Sequence, residues 1–427
     1  MEEVIKIRGK KPLNGSVHIS GSKNSTVALI PAAILGSEPV TIDGVPQISD
    51  VEALIELLQE LGVDVSWSDE TTRETLIIDP RAMENRPLLS PAVQKLRASY
   101  YFMGALLGKY GRVQIKNPGG CYLGPRPMDL HFKGFEALGA KKSNPGDYTV
   151  LEAPEDGLKG TRIFLDLPSV GATINIMMAA VFAQGRTIIE NAALEPEIID
   201  IATMLNKMGA HILGMGTGTL TIDGVTSLKG CNHEIIPDRI EAATYMLIAA
   251  AAGEDIWIHN VIPKHLEAIT YKLEELGINM DTTSDSIHVY NNDHSKLLNH
   301  TDITTKAYPG FATDVQQPFT PLLTRAQGES RVKESIYVER FKHCPELNRM
   351  GAHIDVDSSM AHVYGPTPLY GAVVTASDLR CGAGLVVAAL MAEGETEIHG
   401  IHHIDRGYDN LDGKLKALGA DIRREIV

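Results

Sequence analysis

Apolar positions along the chain follow two alternating rhythms, one helical and one strand-like, and the pair recurs six times. A helical-period run stops at a leucine or methionine followed by glycine at Leu61-Gly62, Leu138-Gly139, Met208-Gly209, Leu276-Gly277, Met350-Gly351 and Leu418-Gly419. The spacing is roughly 70 residues, longer than a solenoid repeat and short enough for each copy to be one compact unit. A second signal, glycine followed by β-branched alternation, appears in Gly111-Arg112-Val113-Gln114-Ile115, Gly185-Arg186-Thr187-Ile188-Ile189, Gly253 to Ile258 and Gly394 to Ile398, with looser copies from Gly36 and Gly328. Glycine lets a helix end in a left-handed residue, and the alternation predicts a half-buried strand. Repeated βαβ-like units predict an α/β protein built by internal duplication. At 427 residues the chain is too long for one core, so two lobes of three repeats each are expected.

Polar residues concentrate where a second, alanine-rich helix opens in each repeat. The openings read Gly21-Ser22-Lys23-Asn24-Ser25, Leu96-Arg97-Ala98-Ser99, Pro168-Ser169-Val170-Gly171, Pro237-Asp238-Arg239, Gly310-Phe311-Ala312-Thr313-Asp314 and Ser377-Asp378-Leu379-Arg380. Equivalent ends of a pseudo-symmetric lobe lie on one side of it, so two facing lobes would aim all six into one cleft. Helix N-termini favour anions through free N–H groups and the positive dipole end. Ser169 and Asp238 are also explained as ordinary caps. Lys23, Arg97 and Arg380 are not, because the dipole disfavours a cation there, and they point to a phosphate or carboxylate ligand.

Charge sharpens this reading. The formal net charge of −15 disfavours a nucleic-acid partner. Cations gathered locally against that field suit an anionic metabolite. Four cysteines show neither paired nor metal-ligand spacing, and Met1 to Lys6 lack the features of a signal peptide, so a reduced, cytoplasmic protein is expected. The longest apolar run, Tyr245 to Ala252, is too short to span a membrane and predicts a buried core helix. The loop Asn117 to Pro127 is glycine-rich and proline-bounded, with Cys121 near Arg126 in sequence. A nearby cation makes a thiolate available, so Cys121 is a candidate reactive thiol. Cys231, Cys344 and Cys381 are expected to be small buried residues. Arg340 and Arg406 stand in comparable loops.

The ordered set of these segments resembles the UDP-N-acetylglucosamine 1-carboxyvinyltransferases of the EPSP synthase superfamily over essentially the whole chain. The carriers are Gly21-Ser22-Lys23-Asn24, Leu96-Arg97-Ala98-Ser99, Pro118-Gly119-Gly120-Cys121, Arg126-Pro127-Met128-Asp129-Leu130-His131, Ser169-Val170-Gly171-Ala172-Thr173, Glu195-Pro196-Glu197-Ile198, Pro237-Asp238-Arg239, Thr313-Asp314, Glu339-Arg340-Phe341, Asp378-Leu379-Arg380 and His403-Ile404-Asp405-Arg406-Gly407-Tyr408. The resemblance implies a two-lobed inside-out α/β barrel, the enolpyruvyl transferase fold, with six βαβαββ-type repeats, three per lobe. Residues 1–21 plus 237–427 would form the C-terminal lobe, and 22–236 the N-terminal lobe carrying a mobile Cys121 loop.

The implied reaction moves the enolpyruvyl group of phosphoenolpyruvate to the 3′-hydroxyl of UDP-N-acetylglucosamine, releasing phosphate, with no cofactor and no metal. Catalytic roles fall on Cys121, Asp314, Lys23 and Arg406. Cys121 protonates carbon 3 and is the thiol that fosfomycin would alkylate; Asp314 takes the sugar proton. Phosphoenolpyruvate would be held by Lys23, Asn24, Arg126 and Arg406 around its phosphate and by Arg340 and Arg380 on its carboxylate. The nucleotide sugar would lie on Asn24, Arg97, Arg126, Pro127, Met128, Asp129, Leu130, Ser169, Val170, Asp314 and Ile336. Leu167 departs from the lysine of some members, shifting diphosphate contacts onto Arg97, Arg126 and helix amides. The partners expected are thus two small molecules, with no nucleic acid and no membrane. The shikimate-pathway enolpyruvyl transferase should lack the Gly-Gly-Cys loop, and the RNA 3′-phosphate cyclases would need a basic surface. A weakly active or non-catalytic paralogue sensing UDP-N-acetylglucosamine is the remaining alternative.

Overall fold

The computed structural model describes residues 1–119, 127–290 and 292–427. They cluster into two compact units: one of Met1–Ser20 with Pro237–Val427, the other of the described residues within 21–236.

Each unit holds three small sheets of one design. In the unit of 21–236, Val40–Asp43 pairs parallel with Asn232–Glu234 and antiparallel with Thr75–Asp79, which pairs antiparallel with Asp64–Trp67. Arg162–Phe164, Arg186–Glu190, Thr219–Asp223 and His211–Leu213 repeat that order. The third sheet, Arg112–Lys116, Tyr148–Glu152 and Lys141–Ser143, has only an isolated parallel bridge, Leu88 to Ile115, in the first place. The other unit repeats the pattern twice within its own sequence. In its third sheet the amino-terminal strand Glu3–Arg8 lies between Glu395–His399 and Asp421–Ile426, antiparallel to both. That pairing closes the last repeat with the start of the chain.

The strand signals hold in all six copies, from Val40–Asp43 to Glu395–His399. The six Leu/Met-Gly stops hold too, because Gly62, Gly139, Gly209, Gly277, Gly351 and Gly419 all have positive φ. The left-handed expectation fails at Gly36, which lacks positive φ, and at Gly253, where φ is −84°. Gly253 is already the first residue of its strand, and a Cβ there would stand 2.7 Å from Ala249 O. Close packing, not handedness, demands glycine at that point.

The alanine-rich runs form the inner helices Lys23–Ala33, Tyr101–Tyr110 and Val170–Ala180 in one unit and Arg239–Ala252, Thr313–Leu323 and Leu379–Met391 in the other. They are buried almost all round, whereas the stop-signal helices, such as Ser49–Glu60, bury one face. Within each unit the three inner helices therefore form the centre, the place expected of an element that is apolar on every side. Tyr245–Ala252 lies wholly inside, as its composition predicts. Small residues let the inner helices touch: a Cβ at Gly104 would stand 2.2 Å from Asn175 O. Asn175, fully buried, accepts from Gly104 N at 2.7 Å and donates to Tyr100 O at 3.0 Å, tying two inner helices by their polar groups.

Candidate active site

The openings of the inner helices carry the candidate residues, and in each unit they form a connected set. In the unit of 21–236, Ser22 caps the helix Lys23–Ala33 by accepting from Ser25 N at 3.1 Å. That leaves Lys23 on the first turn with the dipole against it. The compensation is Asp50, only 2 % exposed, whose Oδ2 lies 3.3 Å from Lys23 Nζ. Asn24 follows on the same turn, half-buried. This helix touches the 3-10 turn Arg97–Tyr100; Arg97 thus opens a 3-10 turn, and the α-helix begins only at Tyr101. The Arg97 guanidinium stands 6.0 Å from the centre of the Tyr100 ring.

Tyr100 gathers the rest of this set. Its ring meets His131 edge-on at 4.8 Å. His131 follows Pro127, Met128, Asp129 and Leu130, which lead into the helix Asp129–Ala137; Pro127 and Asp129 are exposed, while Met128 and Leu130 pack on the core. Asn175 Nδ2 lies 3.0 Å from His131 Nδ1. Burial, then the charge of Arg97, pushes the His131 pKa down to about 3, so the ring is neutral. Ser169 caps Val170–Ala180 through Ala172 N at 3.2 Å, leaving Val170 half-exposed beside it. Leu167 is 67 % exposed. The sequence-predicted residues Arg97, 127–130, Ser169 and Val170 are thus brought together through Tyr100, His131 and Asn175, while Lys23, tied to Asp50, and Asn24 open the helix that contacts the Arg97 turn. Cys121 and Arg126 lie outside the described residues.

Gly171 is the wedge of this arrangement. An added Cβ would stand 2.6 Å from Tyr100 Oη and 3.0 Å from His131 Cε1, so one of the two rings must shift. Gly171→Ala is expected to lower stability by about 1–3 kcal/mol. Urea melts would read it; an unchanged midpoint and slope would refute the wedge.

In the unit of Met1–Ser20 and Pro237–Val427 the set is a charge cluster. Asp314, in the first turn of Thr313–Leu323, receives Arg340 Nη1 at 2.7 Å and faces Arg380 Nη2 at 3.5 Å. The two arginines are 4 % and 2 % exposed, against a net charge of −15 for the chain. Asp378 caps Leu379–Met391 by accepting from Arg380 N and Cys381 N at 2.9 and 3.0 Å. Burial works against the Arg380 charge, but Tyr408, Asp314 and Asp238 together hold its pKa above the ordinary value. The Tyr408 ring lies 5.4 Å from the Arg380 guanidinium, with its hydroxyl 2.7 Å from Thr244 Oγ1.

Arg406 ends the short helix His402–Asp405, which packs on Leu379–Met391; Arg424 anchors that helix at 2.7 Å from Asp405 Oδ1. Ile336 is 41 % exposed on the loop leading to Arg340. Among the described residues no group of three or more His, Cys, Asp or Glu could hold a metal. Cys344 and Cys381 are buried, while Cys231, just before the strand Asn232–Glu234, is only half-buried, with Sγ 3.9 Å from Met204 O.

Asp50, Tyr100 and Tyr408 carry weight that the sequence reading gave to none of them. Asp50 reads as an ordinary first-turn acid. Tyr408 stands inside a matched segment but without a role of its own.

These units are those of the enolpyruvyl transferases. NikO from Streptomyces tendae superposes with a TM-score of 0.90 at 27 % identity, covering 100 % of this chain and 99 % of that one. EPSP synthase from Acinetobacter baumannii shares the fold, with a TM-score of 0.76 at 19 % identity over both whole chains. The EPSP synthase (3-phosphoshikimate 1-carboxyvinyltransferase) family signature matches residues 7–415. UDP-N-acetylglucosamine 1-carboxyvinyltransferase 2 of Bacillus cereus is 56 % identical over 100 % of this chain and 97 % of its own. The proteins of the same name from Listeria monocytogenes and Bacillus subtilis are 55 % identical over 99 % of this chain. The chain belongs to the UDP-N-acetylglucosamine 1-carboxyvinyltransferases, a branch of the EPSP synthase family.

Proposed function

We infer that this chain transfers the enolpyruvyl group of phosphoenolpyruvate to the 3′-hydroxyl of UDP-N-acetylglucosamine, releasing phosphate and committing the sugar to peptidoglycan synthesis. The observation that carries the reading is the gathering of two buried guanidiniums, Arg340 and Arg380, on the one carboxylate of Asp314. Such a pair suits an incoming carboxylate with fork geometry. The full-length relatives support the acceptor, since each is named for UDP-N-acetylglucosamine.

In this reading Lys23, Asn24, Arg126 and Arg406 receive the phosphate of phosphoenolpyruvate, and Arg340 and Arg380 its carboxylate. The sugar hydroxyl gives its proton to Asp314 as its oxygen bonds carbon 2, while Cys121 delivers a proton to carbon 3. Loss of a proton from carbon 3 then expels phosphate from the tetrahedral adduct and restores the double bond. Arg97, Arg126, 127–130, Ser169, Val170 and Ile336 hold the nucleotide sugar. Capping explains Ser169, but the half-exposed Val170 beside it leaves the opening of that helix accessible. A cytoplasmic location goes with the reading, since both substrates are charged metabolites that do not cross a bilayer. No described helix is long and apolar enough to span a membrane. A non-catalytic sensor is not favoured, given full-length similarity to proteins named as transferases.

The test is phosphate release from phosphoenolpyruvate with UDP-N-acetylglucosamine or shikimate 3-phosphate as acceptor. Release with the nucleotide sugar alone, and a loss of at least about a hundredfold in Cys121→Ala, is expected. Release with shikimate 3-phosphate would overturn the acceptor, and nucleotide-sugar binding without release would restore the sensor.

A further inference from the structure

The strand Gly328–Lys333 ends at Glu334, a carboxylate with 0 % exposure. Four donors converge on it. Oε1 accepts from Thr305 Oγ1 at 2.6 Å, Ile336 N at 2.9 Å and Tyr337 N at 3.1 Å. Oε2 accepts from Thr313 Oγ1 at 2.9 Å. Two backbone donors and two hydroxyls are what an ionised carboxylate requires when it is withdrawn from water.

The direction of these bonds matters more than their number. A threonine hydroxyl has one hydrogen, and an ionised carboxylate only accepts. Thr313 must therefore spend its hydrogen on Glu334 and turn its lone pairs elsewhere. They face Arg340 Nη1 at 3.1 Å. The same Nη1 donates to Asp314 Oδ1 at 2.7 Å. Glu334 in this way sets the polarity of the hydroxyl that orients Arg340, and Arg340 orients the neighbouring Asp314. Its two backbone bonds also fold the loop 335–337 that presents Ile336. Tyr337 O then accepts from Arg340 N at 2.9 Å, while Gln316 Nε2 donates to Arg340 O at 2.6 Å, so both ends of the arginine are held.

We propose that Glu334 is a positioning residue for the transfer reaction, acting through the Thr313 hydroxyl to hold Arg340 and Asp314 in reacting geometry. The inference rests on the functional reading above.

Glu334→Gln preserves shape and one acceptor oxygen. If that oxygen keeps the backbone donors and Thr305, the new NH2 points at Thr313 and reverses its hydroxyl, so that hydrogen faces hydrogen at Arg340. The expected result is a rise in KM for phosphoenolpyruvate of roughly tenfold to a hundredfold, with little change in the affinity for UDP-N-acetylglucosamine and with cooperative unfolding retained. Thr313→Val, which removes the hydroxyl and leaves Glu334 its other three donors, should reproduce the phosphoenolpyruvate defect. Because both changes act through one hydroxyl, the double variant should be no worse than the more damaged single one. Equal losses towards both substrates, additive losses in the double variant, or an unchanged KM for phosphoenolpyruvate would each overturn the positioning role. Phosphate release by the wild-type protein separates the two levels. An active wild type with unaltered variants defeats the role of Glu334 alone, whereas an inactive wild type defeats the functional reading along with it.

Discussion

Asp314→Asn is expected to lower kcat for phosphate release about a thousandfold without raising KM for phosphoenolpyruvate. The first half follows from chemistry: an amide cannot take the proton of the sugar hydroxyl. The second half follows from geometry. Asp314 holds Arg340 at 2.7 Å and Arg380 at 3.5 Å, the two guanidiniums that the reading assigns to the substrate carboxylate. The carboxylate of Asp314 competes with phosphoenolpyruvate for these donors, and neutralising it removes the competitor. Both arginines are nearly buried, so their charges lose a counter-ion in the free variant and regain one only with substrate. The variant should be less stable alone and more strongly stabilised by phosphoenolpyruvate than the wild type. Steady-state phosphate release and thermal melts with and without phosphoenolpyruvate check both halves. A raised KM with kcat intact would make Asp314 a binding anion and leave the proton acceptor to be found elsewhere.

The repeat was legible because it is a local signal. Leu418-Gly419 ends a helix by a rule that acts within a few residues, and Gly419 takes positive φ as that rule requires. Gly253 shows the limit: Gly111, Gly185, Gly328 and Gly394 take positive φ at the matching place in the repeat, whereas Gly253 is extended, because what matters there is the approach of Ala249. The place of Glu3–Arg8 between two strands of the far end of the chain has no local signature, and only the family resemblance put residues 1–21 with 237–427. The candidate cations were readable because Lys23 and Arg380 break a rule, standing where a helix dipole repels them. Their partners break no rule. Asp50 in a first turn is what any helix prefers, and Glu334 after a strand looks like a solvated loop acid. Their burial and bonds exist only once Lys23 and Thr313 come close in space.

Acid should unfold the unit of 21–236 before its companion, and the reason is a pair of histidines with unequal company. His131 in the first unit and His343 in the second are each held near pKa 3 chiefly by burial, with Arg97 adding to the effect at His131 and Arg340 at His343, where Asp378 opposes. A histidine whose folded pKa lies below its unfolded value of about 6.5 stays neutral in the native state, while the unfolded chain binds a proton. Its contribution is complete above pH 6.5 and is lost as pH falls towards 3, at up to about 1.4 kcal/mol per pH unit for each ring.

In the second unit Glu241 works in the opposite sense. Burial raises its carboxyl to about 7, against the pull of Lys414 at 2.6 Å. A carboxyl raised above its unfolded value favours the folded state fully below pH 4.5, and that stability is lost as pH rises towards 7. Lowering the pH from 6.5 to 4.5 therefore costs the first unit its His131 term, whereas in the second Glu241 offsets His343. There too the raised His399, paired with Glu2 and Glu397, works against the lowered, partly buried His294 and His403. The chain has two tryptophans, Trp67 on a strand of the first unit and Trp257 on a strand of the second, so each unit carries its own reporter. Urea melts of Trp67→Phe and Trp257→Phe variants at pH 7.5 and 5 should show the Trp67 signal moving to lower urea more than the Trp257 signal. His131→Gln, which holds no titrating ring, should flatten the pH dependence of the Trp67 transition. Parallel shifts of the two signals, or a Trp67 transition that stays as steep in pH without His131, would mean that some other group governs acid stability.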